Sequence, residues 1–257
     1  MAYQQRVLVL GGGGAGIGRA IVDRLGSTGA AVVVADLTHE RAAETAEAVR
    51  TAGGRAEAVS GDVRSIEDLH TMIDTAVDLL GGLDAMVTVV GGQVAFVPAV
   101  RLHEIQDADW DTVYELNLRY VARAVRHVLR FFLDQGSGGV IVGVGSVTGF
   151  MAAPRQAGYG VAKAGLLSLA RTVAAEYSAD GIRMNVVAGG AIATAVANQA
   201  GAGEDASWID EIPVGRYGRS EEIAEAVAYL LSDAAGYVTG QQLVLDGGVS
   251  SRGPFPG

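Results

Sequence analysis

Short β-branched runs alternate along this chain with longer stretches of helical periodicity, and no other feature limits the possible folds so strongly. Arg6–Leu10, Ala31–Ala35, Ala56–Ser60, Ala85–Val90, Val140–Gly145, Arg183–Ala188 and Gln242–Leu245 read as strands. Several are nearly continuous in valine, isoleucine and leucine, as strands are when both faces of their sheet are covered. Between them Arg19–Leu25, Arg41–Ala52, Ile66–Leu80, Asp109–Leu133, Tyr159–Ala179 and Glu221–Leu231 read as helices. Repeated strand–helix–strand units demand right-handed crossovers, hence a parallel sheet with helices on both sides. No internal repeat and no long linker divides the 257 residues. One α/β domain over residues 1–257 is therefore expected.

Composition narrows the function classes. There is no cysteine, so neither a disulfide framework nor a thiolate metal site is possible. The four histidines, His39, His70, His103 and His127, show no metal-ligand spacing, and no metal is expected. The amino terminus runs directly into an apolar strand without a signal-peptide pattern, and no apolar stretch reaches the roughly 18 residues of a membrane span. A cytoplasmic protein without membrane contact is expected. The formal net charge of −10 opposes a nucleic-acid partner, which needs clustered Lys and Arg.

Gly11 to Gly18 form a glycine-rich turn between the first strand and the first helix. Such a turn lets the backbone approach a pyrophosphate, and the helix amino terminus offers free N–H groups and a partial positive charge. Gly12, Gly16, Ile17 and Gly18 are the candidate contacts. The second strand ends in Asp36, whose carboxylate can accept hydrogen bonds from both ribose hydroxyls of an adenosine. It would repel a 2′-phosphate, and Leu37 follows with no adjacent arginine or lysine to receive one. NAD(H) is expected rather than NADP(H). Asp62 and Val63, after the third strand, are placed to reach the adenine.

Tyr159 and Lys163 stand four residues apart at the start of a helix, on one face and one turn apart. An ammonium beside a phenol favours the phenolate, lowering a pKa that is otherwise about 10. The pair can then pass a proton to or from an alcohol or carbonyl oxygen near neutral pH.

With the glycine loop, Asp36, Tyr159 and Lys163 in place, the chain resembles the short-chain dehydrogenase/reductase family in its compact form. Ser146 precedes Tyr159 by thirteen residues, at the end of the fifth strand, and Asn117 lies in the long central helix. Ile212-Pro213-Val214-Gly215-Arg216, Glu221-Glu222-Ile223-Ala224 and Asp246-Gly247-Gly248 extend the resemblance over almost the whole length. It implies a Rossmann-type, doubly wound sheet of seven parallel strands and an oxidoreductase acting on a secondary alcohol or ketone. By the same resemblance Tyr159 is the acid/base and Ser146 positions the substrate oxygen. Lys163 holds the nicotinamide ribose and acidifies the tyrosine, and Asn117 anchors a water. Val90 and Gly91, then Gly190, Ile192 and Thr194, complete the implied cofactor contacts. Gln93 and Phe96, with Thr148, Phe150 and Gln156, are the implied substrate contacts. Residues 193–212 form a substrate lid, which carries Glu204, Asp205, Asp210 and Glu211 without Lys or Arg and so disfavours an anionic substrate. A neutral alcohol or ketone with apolar bulk is expected, and a homotetramer packed through the long helices.

Three departures from the family pattern stand out: Gly11 for threonine, Thr88-Val89 for a pair of asparagines, and Gly189 for proline. They remove hydrogen bonds and rigidity, so a looser cofactor site is expected. Two other readings remain at this level. One is an NADPH-dependent ketoacyl or polyketide reductase, which Asp36 opposes. The other is a non-catalytic dinucleotide-binding regulator, which the complete Ser146, Tyr159, Lys163 and Asn117 set opposes.

Overall fold

The computed structural model describes residues 4–93, 95–194 and 209–252. Its central sheet has seven parallel strands in the order β3-β2-β1-β4-β5-β6-β9. These are β1 Arg6–Leu10, β2 Ala31–Asp36, β3 Arg55–Ser60, β4 Ala85–Thr88, β5 Gly139–Ser146, β6 Ile182–Gly189 and β9 Gln242–Leu245. A separate two-stranded pair, β7 Ile192–Ala193 with β8 Gly218–Arg219, was not foreseen.

Alternation along β1 and β2 builds both halves of the core, because successive strand residues point to opposite faces. Leu8, Leu10 and Val33 pack on one face under α3 (Ile66–Leu80), α5 (Tyr120–Gln135) and α6 (Ala157–Tyr177). Val7, Val9, Val32 and Val34 pack on the other under α1 (Ile17–Ser27), α2 (His39–Thr51) and α7 (Ser220–Leu231). The strand order reverses between β1 and β4, which are paired from Val7–Ala85 to Leu10–Thr88. That reversal opens a crevice beyond their carboxyl ends, where ligands bind in such sheets.

Local signals fix several boundaries. Ser65 caps α3 by accepting from the Asp68 N–H at 3.2 Å, and Gly81 ends it at a φ of 67°. The expected single helix Asp109–Leu133 is instead α4 (Asp107–Tyr114), a π turn over Glu115–Arg119, and then α5. The π turn widens the helix around Asn117, a common device at functional sites.

Candidate active site at the carboxyl ends of the strands

The glycine loop is tied to β2, with Gly11 and Gly12 N–H groups both donating to the Ala35 carbonyl at 2.8 and 3.1 Å. A side chain at Gly18 would overlap the Gly11 carbonyl oxygen, so only glycine lets α1 come this close to β1. At Gly16 the reverse holds: a Cβ would meet nothing, and no side chain caps the amino terminus of α1. The amino terminus of α1 is therefore left open beside the loop, suited to a dinucleotide pyrophosphate.

Asp36 closes β2 and accepts from the Gly13 N–H at 3.0 Å and the Leu37 N–H at 2.9 Å. The expectation that no basic side chain reaches this carboxylate is wrong. Arg41 Nε lies 3.5 Å from Asp36 Oδ1, because the first turn of α2 folds Arg41 back over the end of β2. Leu37 is exposed beside it. Asp62 is occupied by Arg64, whose Nη2 donates to it at 2.6 Å and holds its carboxyl below the usual range. Val63 is buried in the core under α3.

The end of β4 differs from expectation in an instructive way. The strand stops at Thr88, not Val90, and the Val89 and Val90 N–H groups reach the Leu10 carbonyl at 2.9 and 3.4 Å. Gly11 and Val90 are size-complementary: a Cβ on Gly11 would come 2.8 Å from Val90 Cγ2. The valine fills the room that a larger residue at 11 would take. The buried Thr88 hydroxyl makes no hydrogen bond of regular geometry, although it interacts with the Tyr120 hydroxyl. Tyr120 ties this segment down, its hydroxyl donating to the Val90 carbonyl at 2.8 Å. Gly189 also sits firmly, as the last residue of β6 in register with both Ser146 and Leu245.

Asn117 is fully buried and clasps the next peptide unit. Its Oδ1 accepts from Gly92 N–H at 2.9 Å, while Nδ2 donates to Gly92 O at 2.9 Å and Val113 O at 2.8 Å. Both amide hydrogens are thus used, leaving a single acceptor lone pair for any water. Gly91 is wedged between the helices and the sheet. A Cβ there would lie 2.5 Å from Asn117 Oδ1 and 3.2 Å from Lys163 Nζ.

Tyr159 and Lys163 lie on one face of α6, with Nζ 5.4 Å from the centre of the phenol ring. Lys163 is 4 % exposed, and Nζ donates to the Val144 carbonyl at 2.9 Å. Burial brings its pKa down to about 8. Tyr159 moves the other way: desolvation pushes its phenol above 10, and the neighbouring Ser146 hydroxyl opposes the rise. The lowering expected from the spacing alone is therefore outweighed by burial in the protein itself. Ser146 Oγ accepts from the Thr148 N–H at 3.2 Å, which orients it.

The expected substrate residues frame the same end of the sheet. Gln93 is buried, and its Nε2 donates to the Arg155 carbonyl at 2.9 Å, joining the segment after β4 to the loop before α6. Arg155 has a φ of 66°, a strained conformation for a non-glycine residue. Thr148 is partly buried and its carbonyl faces Gly160, Gln156 precedes α6, and Phe96 and Phe150 are about half exposed. Gly190 N–H donates to Leu245 O at 2.9 Å. Ile192 lines a cavity of about 240 Å³ with Ile212, Val214 and Leu245. Thr194 is described, but residues 195–208 of the expected lid lie outside the described residues. Near the end of that segment Glu211 pairs with Arg252 at 2.6 Å, so its acidity is partly neutralised.

Arg41 and Tyr120 escaped the sequence reading. Each had a signal: Arg41 follows Asp36 by only five residues, in the first turn of the next helix, and Tyr120 is three residues from Asn117. Gln93 with Arg155 has no local signal.

A family model described as Enoyl-(Acyl carrier protein) reductase matches residues 12–250. The chain is 39% identical over 250 residues to a cis-4-hydroxycyclohexanecarboxylate dehydrogenase of Sinomonas cyclohexanicum, covering 97% of this chain and 98% of that one. It is 36% identical to a 3beta-hydroxysteroid dehydrogenase of Eggerthella lenta, covering 95% of this chain and 94% of that one. A doubly substituted short-chain dehydrogenase/reductase from Serratia marcescens superposes with a TM-score of 0.85 at 32% identity, covering 96% and 98%.

Proposed function

This chain belongs to the short-chain dehydrogenase/reductase family, an oxidoreductase family acting on CH–OH groups, and from that premise we propose its reaction. It interconverts a neutral secondary alcohol and its ketone with NAD(H), using Tyr159 as the acid/base. The observation that carries this reading is the shared face of α6. There Tyr159 and Lys163 stand 5.4 Å apart by ring centre and Nζ, beside Ser146 and next to the strand-order reversal.

The geometry supports the following roles. Ser146 Oγ, fixed by the Thr148 N–H, donates its proton to the substrate oxygen and holds it near the phenol, a positioning effect. In the reducing direction the Tyr159 hydroxyl gives its proton to that oxygen. Its raised pKa keeps it protonated and ready for this step at neutral pH. In the oxidising direction the phenol oxygen must take the alcohol proton, and the Lys163 ammonium favours the phenolate that does so. Asn117 holds the Gly91–Gly92 segment against Lys163 and is a positioning residue. A bound nicotinamide supplies hydride exchange at the carbinol carbon.

Support for an alcohol with apolar bulk comes from Phe96 and Phe150 after β4 and β5, and from relatives named for a hydroxycyclohexane acid and a hydroxysteroid. The test is Tyr159→Phe against a panel of alicyclic and steroidal alcohols and ketones. Turnover should fall by roughly 10²–10⁴-fold, with NADH affinity nearly unchanged by calorimetry. A variant that turns over at the wild-type rate would remove Tyr159 from the mechanism.

A further inference from the structure

We propose that Gln93 is a positioning residue: its amide clamps the loop before α6 in a left-handed turn and so sets where Tyr159 stands. This rests on Tyr159 acting as the acid/base. It goes beyond that reading by naming what holds the phenol in place.

Gln93 ties two walls of the site at once. Its main-chain carbonyl accepts from the Phe96 and Val97 N–H groups at 2.8 and 3.0 Å, which anchors Phe96 after β4. The residue is 7% exposed, and its side chain crosses to the other wall, where Nε2 donates to the Arg155 carbonyl at 2.9 Å. Among the described residues no other side-chain hydrogen bond fastens residues 152–156 to the rest of the fold. Only the NH₂ end of an amide can face a carbonyl, and Oε1 is buried without a partner among the described residues. One hydrogen bond therefore fixes the whole amide.

Arg155 supplies the opposing force. Its φ of 66° lies in the left-handed region, which a non-glycine residue keeps only where its surroundings hold it. The cost of that conformation and the net strength of one hydrogen bond are of the same order. Without the Gln93 bond Arg155 relaxes toward negative φ, and the peptide leading into Gln156 rotates with it. The Gln156 carbonyl accepts from the Gly160 N–H at 2.9 Å at the start of α6, so the movement arrives beside Tyr159. Ser146 is fixed separately, by the Thr148 N–H, and does not follow. The phenol and the serine then lose their common aim at one substrate oxygen, and misplacement on that scale slows the chemical step.

The experiment compares the full chain with Gln93→Met, Arg155→Gly, Arg155→Val and the double variant Gln93→Met/Arg155→Gly, on an alicyclic alcohol with NAD. Methionine keeps the length and has no N–H to donate; glycine takes this φ freely, and valine resists it more than arginine does. Gln93→Met should lower kcat about tenfold, with a smaller change in KM and unchanged NADH affinity. Adding Arg155→Gly should recover most of that loss, which it could not do if Gln93 were only a substrate contact. Arg155 is exposed, and Arg155→Val should lower kcat with Gln93 intact, which decides the matter if Gln93→Met fails to fold. Hydrogen exchange at the Gly160 amide needs no turnover and should follow the same order, fast in Gln93→Met and in Arg155→Val, slow in the double variant. If Gln93→Met leaves kcat and Gly160 exchange unchanged, or loses as much activity with Arg155→Gly as without it, the clamp is overturned and the acid/base reading stands. Exchange in the expected order from a protein that turns over no alcohol or ketone upholds the clamp and overturns the proposed reaction.

Discussion

Tyr120→Phe tests whether one hydroxyl on α5 replaces the asparagine ties missing after β4. The ring is 1% exposed, so phenylalanine keeps the packing and removes the hydrogen bond to Val90 O at 2.8 Å, together with the hydroxyl's contact with Thr88. Burial pushes the phenol of Tyr120 far above its ordinary value, so it is a neutral donor at any working pH. Losing the bond costs about 1 kcal/mol, and leaving the carbonyl short of a partner adds up to about 1 kcal/mol more. With an unfolding entropy of about 2.1 cal/mol/K per residue, a chain of 257 residues has roughly 0.5 kcal/mol/K. A loss of about 1.5 kcal/mol then lowers Tm by about 3 °C. Because Val90 leads directly into Gly91, NADH affinity should weaken about threefold to tenfold, on the scale of the lost bond. Thermal melts and calorimetric titration with NADH read both effects. An unchanged Tm together with an unchanged NADH affinity would refute the compensation argument.

Two further predictions concern pH. Lys163 has a folded pKa of about 8 against 10.5 in an open chain, so the unfolded state binds the extra proton between those values. Stability should climb as pH rises from about 8 to about 10.5. Denaturant melts of Lys163→Met across that range should lack the climb. His70 on α3 stacks on His127 of α5 at 4.1 Å between ring centres, with Asp74 on α3 and Arg126 and Arg130 on α5 around it. Burial chiefly, and His127 secondly, lower its pKa below 6.5, so stability should fall as pH drops through that value. His70→Leu should flatten this acid limb in melts taken between about pH 7 and pH 5, and an identical limb in the variant would locate its origin elsewhere.

The helix Ile66–Leu80 was legible to the residue because its stop and start signals are local: a serine before it, a glycine after it, and an apolar stripe between. Asp109–Leu133 was not, because apolar periodicity continues through the π turn that separates α4 from α5. The departures at Gly11 and Thr88-Val89 looked like losses because each was weighed against a family pattern one position at a time. In the fold, Val90 occupies the space beside Gly11, and Tyr120 ties down the carbonyl of Val90.

Periodicity is a property of neighbouring residues, so the chain alone determined the parallel sheet, its two buried faces, the glycine turn and the placing of Tyr159 and Lys163 one turn apart. Electrostatics is a property of distance through space, and that only the tertiary structure decided. It brought Arg41 onto Asp36, enclosed Lys163 beneath Val144, and surrounded Tyr159 closely enough that desolvation, not the nearby ammonium, sets the direction of its pKa.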